Sequence, residues 1–279
     1  MRILAPILSL ALTGTAVAQD ATDDWDNTVN AEAKLTMASV DFGGIGIAVR
    51  CQDGGLDAVI TGLPPVTDAE RRTITLKFAD DESPRATMWN VAVNPATGVS
   101  ERPAAFARQL RQGGRLDVVV PGGAEGGRNL RYALDLPSAH AVIDQTLQAC
   151  GKPLEDARDA ELAALGDAGL PGGVNWASPP QPTYPTRRVY ERGFAVVTCL
   201  SEPDGGLRAC EIETEHPRDG GFGEATLDAT RRARLENTAA PGQPITPRMV
   251  SFRSNFHMES NGEAARRSPH GTRLPGSRN

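Results

Sequence analysis

The stretch CLSEPDGGLRAC, Cys199 to Cys210, places its two cysteines symmetrically about the pair Asp204-Gly205. Asp-Gly is a strong hairpin signal. In a tight hairpin turning there, the two cysteines would face each other on one side of the ladder, close enough to bridge. Pro203 has no N–H to give the ladder, so the loop is expected to widen to take in Pro203 and Gly206. Metal binding, redox exchange and a structural staple compete for such a pair. The compartment decides among them.

The chain opens MRILAPILSLALTGTAVAQD. Arg2 precedes an apolar run from Ile3 to Leu12, and small residues lead to Ala16-Val17-Ala18. This is the layout of a secretory signal peptide over residues 1–18, cut after Ala18. The run is shorter than the ~18–20 residues that cross a bilayer. A soluble, exported, periplasmic chain is expected, with no stable membrane insertion. Export favours disulfides, and the four cysteines are even in number. No C-x-x-C occurs, and His140, His216, His257 and His270 are scattered. Neither a metal nor a cofactor is expected. With net charge −6 and no basic stripe interleaved with aromatics, nucleic acid is not an expected partner.

From Leu35 to Leu136 the chain reads as short strands. Ile45, Ile47, Val49 and Cys51 alternate onto one face, and segments 58–63, 73–78 and 87–93 continue the pattern. Ser100 to Gln112 reads as a helix with Pro103 in its first turn. Leu116–Val120 and Leu130–Leu136 read as a hairpin around a glycine-rich loop. That loop lacks the lysine and hydroxyl residue of a phosphate-binding loop. A helix with Ser138 as its N-cap is expected to run to Cys150 and stop at Gly151. Ile143, Leu147 and Cys150 share its apolar face. Cys51 and Cys150 therefore point into one core, which pairs Cys51 with Cys150 and Cys199 with Cys210.

The expected fold class is α+β. A mostly-β sandwich or barrel with a docked C-terminal helix spans 19–154. A Gly/Pro-rich linker spans 155–182, with a short helix possible over Glu155–Leu165. A small ββαβ domain spans 183–258, and a disordered tail spans 259–279, where apolar content is too low for a core.

Residues 180–258 resemble the C-terminal domain of the TonB energy-transducer family. The residues that carry this are Tyr184-Pro185, Gly193, Asp204-Gly205, Gly221-Phe222-Gly223 with Ala225 and Leu227, Gly242-Gln-Pro-Ile245 and a last strand ending at Phe256. The resemblance implies a sheet edge to which partners add a strand. Here that edge is Met249, Val250, Ser251, Phe252, Arg253, Ser254, Asn255 and Phe256. Transducers of that family carry a membrane helix and a long proline-rich spacer, whereas this chain has a short linker, so energy transduction is not expected. Residues 35–154 are faintly similar to small exported proteins of type VI secretion or host-invasion loci. The carriers are Arg50-Cys51, Met88-Trp89 and Leu147-Gln-Ala-Cys150.

No nucleophile–base set stands out, so an enzyme is not expected. Asp80-Asp81-Glu82 reads as a turn, and Glu213 and Glu215 read as a solvated strand face. The expected function is an envelope binding protein without its own anchor. Its expected partner is a protein or peptide, with an outer-membrane transporter as one candidate. The alternative is a structural or accessory part of an envelope or secretion assembly.

Overall fold

A computed structural model describes residues 24–165, 169–186 and 190–258. The signal peptide expected at 1–18 and the tail at 259–279 lie outside the described residues.

The N-terminal half contains β1 (Asp26–Asn30), β2 (Leu35–Asp41), β3 (Gly46–Gln52), β4 (Gly55–Thr61), β5 (Arg71–Phe78), β6 (Arg85–Val91), β7 (Gly98–Ser100), α1 (Pro103–Leu110), β8 (Gly114–Val120), β9 (Leu130–Leu136) and α2 (Ala141–Ala149). The strands form one antiparallel sheet in the order β1-β2-β3-β4-β7-β6-β5-β8-β9. From β4 to β9 is five strand intervals, about 24 Å on a flat sheet. Yet the Tyr132 hydroxyl on β9 donates to the Gly62 carbonyl just past β4, at 3.4 Å. The sheet must therefore fold over on itself.

The fold-over lies near β7, which pairs with β4 only through Val59↔Val99 and Ile60↔Gly98. Gly98 lets the strands pack closely there, since a Cβ would stand 3.2 Å from the end of Leu63 and 3.4 Å from that of Ile74. This corrects the sandwich-or-barrel expectation. The half is a single open sheet curled around its core, and it is not a closed barrel.

Two helices fill the curl. Phe106 of α1 is buried edge-on to Trp89 at 5.1 Å and to Phe78 at 6.2 Å. Ile143 and Leu147 of α2 are fully buried. Cys51 and Cys150 are joined, with Cα atoms 5.5 Å apart. The expected helix at Ser100 starts later, at Pro103. A residue before proline is driven toward extended backbone, so Gly98–Ser100 is strand and Arg102 is not helical. Similarly α2 begins at Ala141 after His140, so Ser138 is not its N-cap.

The C-terminal half contains α3 (Arg158–Ala164), β10 (Val174–Ser178), β11 (Arg192–Ser201), β12 (Leu207–His216), α4 (Phe222–Thr230), β13 (Arg234–Asn237) and β14 (Met249–His257). The main sheet runs β12-β11-β14, and β10 pairs with β13. The segment expected as a linker thus contributes α3 and a strand. Proline and glycine bound β10 on both sides, but Val174 and Trp176 alternate inward onto the core around Leu235.

Cys199 and Cys210 are bridged, with Cα atoms 4.1 Å apart. The hairpin is not a plain tight ladder. The register slips between Thr198↔Glu211 and Leu200↔Arg208, and Ala209 takes a φ of 47° at the bulge. The hairpin tip is held by β13, where the Leu235 N–H donates to the Gly205 carbonyl at 2.8 Å. Gly205 has a φ of 83°, and a Cβ there would meet the Leu235 carbonyl oxygen at 2.2 Å.

A second register slip lies between Val196↔Thr214 and Val197↔Ile212. It overturns the solvated-face reading of Glu213 and Glu215. Glu213 is buried and accepts from the Thr198 hydroxyl at 2.6 Å. Glu215 accepts from the Gly223 N–H at 2.6 Å, capping an α4 whose own N-cap, Gly221, has no side chain to offer. Burial nevertheless pushes the Glu215 carboxyl up.

The halves dock through β12, which contacts both β4 and α1. Arg218 donates to the Gln52 and Gly55 carbonyls and to Asp57, which also pairs with Arg50 at 2.8 Å. A further tie joins α1 to α3, Arg108 to Asp159 at 2.7 Å, and within the C-terminal half Arg158 pairs with Asp156 at 2.6 Å and Glu211 at 2.8 Å. Hydrogen bonds from Arg158 hold the Asp156 carboxyl at about 2, below its ordinary 3.8. The stability it supplies is complete above about pH 4 and is lost as pH falls toward its folded value. Asp156→Asn should therefore lower the urea midpoint at pH 5, with the gap to the parent chain closing between about pH 4 and 2.

Candidate functional site

β14 arises from alternation in Met249–His257. Val250, Phe252 and Phe256 point to the cores around Cys199 and Phe222, and the odd residues point to the other face. Its only strand neighbour among the described residues is β11. The backbone alternates too. The Ser201 N–H donates to the Arg248 carbonyl and the Met258 N–H to the Glu191 carbonyl, both on the β11 side. Even-numbered residues therefore bond inward, and the amides of 249, 251, 253, 255 and 257 face outward.

The chain uses two of these itself. The Met249 N–H donates to the Glu161 carboxylate at 2.9 Å, and the Ser251 N–H donates to the Gly169 carbonyl at 2.7 Å. Gly169 is required by the close approach, since a Cβ on it would lie 1.8 Å from the Ser251 oxygen. The eight-residue receptive edge expected from sequence is corrected accordingly. Met249 and Ser251 are occupied, and Val250, Ser254 and Phe256 are buried structural residues. Phe252 packs edge-on to Trp176 at 5.4 Å. The open stretch is Arg253 to His257, with Asn255 and His257 exposed. No described backbone group pairs with the outward amides there.

The start of this open stretch borders a cleft of about 380 Å³ between the two halves. β6, the Ser100–Arg102 segment and α1 form one wall. Ser251 to Arg253, Leu162, Gly169 and Trp176 form the other. Arg253 lies over the Phe194 ring at 4.6 Å, and burial pushes its guanidinium down to about 10. Burial also pushes Arg102 down. Neither the cleft nor Arg102 was legible in the sequence, because its walls come from separate halves.

The acidic triplet does not itself line the cleft, although Asp81 pairs with Arg85, which does. Asp81 of the acidic triplet accepts from the Phe78 N–H at 3.0 Å and pairs with Arg85, closing the β5–β6 turn. Among the described residues no helix is long and apolar enough to cross a membrane, and no cluster of His, Cys, Asp and Glu is placed to hold a metal.

No family model and no curated protein matches this chain. Among solved structures, the solution NMR structure of the Pseudomonas aeruginosa TonB CTD is similar at 19% identity. The match covers 32% of this chain and 91% of that one with a TM-score of 0.28, a weak and partial likeness.

Proposed function

We propose that this chain is an exported envelope protein that binds an extended segment of a partner protein by strand addition to β14 between Arg253 and His257. The observation that carries this is the run of outward amides beyond Ser251 with no backbone partner among the described residues. A guest strand pairing there would gain main-chain hydrogen bonds, with alternate side chains setting preference. The two disulfides support an oxidising compartment. The partner is a protein or peptide of the envelope, with an outer-membrane transporter as one candidate. The role is binding and not catalysis.

Asn255→Pro tests the proposal. Proline on an edge strand removes an outward donor without breaking the inner ladder. The variant should keep its thermal transition and lose at least about tenfold in affinity for a bound transporter-derived peptide. An isotope-edited NMR titration reads this out. Absence of shifts along 253–257 on adding such peptides would count against strand addition. A second reading, a structural or accessory part of an envelope assembly, draws on the two edge amides that the chain already satisfies internally.

A further inference from the structure

Four arginines line the cleft: Arg71, Arg85, Arg102 and Arg253. Two are neutralised at short range. Arg71 makes a two-pronged pair with Glu101 at 2.8 and 3.1 Å, and Arg85 pairs with Asp81 at 3.1 Å. Asp159, the other acid on the wall, is held by Arg108. Among the described residues, Arg102 and Arg253 pair with no carboxylate. The Arg102 guanidinium donates to the Leu162 carbonyl, and its backbone N–H to the Ser100 hydroxyl at 3.1 Å. The Nε of Arg253 is fully buried with no acceptor among the described residues, and its guanidinium lies over the Phe194 ring. Withdrawing a cation from water is costly unless a counter-charge repays it; Glu101 and Glu213 act on Arg102 and Glu101 and Glu70 on Arg253 only at longer range, with no carboxylate in direct contact among the described residues.

Apolar and aromatic side chains, Met88, Phe106, Leu162, Trp176 and Phe252, share the wall with Thr87, Ser100, Gln109 and Ser251. A guanidinium fork is shaped to take a carboxylate two oxygens at a time. We propose that the cleft binds a carboxylate carried on an apolar body, the carboxylate lying against Arg253 and Arg102 and the apolar part against Trp176, Phe252 and Leu162. The carboxylate could belong to a free apolar acid or to a guest segment seated on β14. The chemistry is the same for both, and the site does not depend on strand addition.

The test is calorimetric titration of the full chain at low salt with two matched pairs of probes. One pair is 4-phenylbutyrate and its amide. The other is a short Val/Thr/Phe peptide with a free C-terminal carboxylate, and its C-terminal amide. In at least one pair the acid should bind roughly tenfold or more tightly than the amide. Arg253→Met should remove that preference, whereas Arg253→Lys should keep part of it. If only the peptide acid is preferred, the carboxylate comes from the guest segment; if the free acid is preferred, a small molecule suffices. Where a variant fails to fold, the Arg253 Nε–H resonance of the parent chain serves instead and should shift with acid and not with amide. Equal binding of acid and amide in both pairs, or no binding in either, overturns the proposal. Equal peptide binding that is abolished by Asn255→Pro would overturn it while leaving strand addition standing.

Discussion

Phe222→Ala is expected to destabilise the C-terminal half by about 3–5 kcal/mol, the range for emptying a buried aromatic site. Phe222 is fully buried. Its ring meets Phe256 at 4.6 Å, Tyr184 at 5.8 Å and Tyr190 at 6.3 Å. It is seated on two glycines, because a Cβ on Gly193 would come within 2.1 Å of the ring and one on Gly220 within 2.2 Å. Gly193→Ala should therefore also destabilise, by roughly 1–3 kcal/mol through overpacking. Phe222→Leu combined with Gly193→Ala should cost less than the sum of the two changes, since the smaller side chain makes room for the methyl group. Urea unfolding of the four chains measures the coupling; strict additivity would show that the ring does not rest on Gly193. Phe256 closes β14, so loosening this cluster should also weaken guest binding at 253–257.

Removing the bridge between Cys51 and Cys150 should cost about 4–5 kcal/mol, because it frees the unfolded chain from a loop closed over a separation of 99 residues. The Cys199–Cys210 bridge closes a separation of 11, and its loss should cost about 3 kcal/mol on the same model. Double substitutions to serine, compared in urea with and without reductant, should rank in that order. Reductant should leave the four-serine chain unchanged. The reverse ranking would mean that the hairpin bridge supports more than its own loop, for which the contact between its tip and β13 is the structural candidate.

Much of the fold was legible where the interactions are local. Alternation in residues 45–51 locates β3 and turns Cys51 inward. Asp204-Gly205 marks the turn between β11 and β12. Pro103 marks the start of α1, although the helix was read as starting at Ser100, the last residue of β7. Residues 174–178 were read as linker, because a five-residue strand between glycines and prolines is recognisable only through its partner β13. Glu213 and Glu215 were read as solvated, because register slips in β12 move side chains across the sheet without leaving a mark in the polar–apolar pattern.

By itself, then, the sequence determined most of the longer strands, the facing cysteines and the identity of the last strand, since turn chemistry and period-two alternation act over a few residues. Only the tertiary structure decided which amides of that strand stay open and which arginines stand unpaired in the cleft. Met249 is satisfied by Glu161, 88 residues away, and Ser251 by a glycine whose value lies in the backbone it lets approach. Such contacts between distant parts of the chain depend on how the two halves dock, and no local pattern encodes that docking.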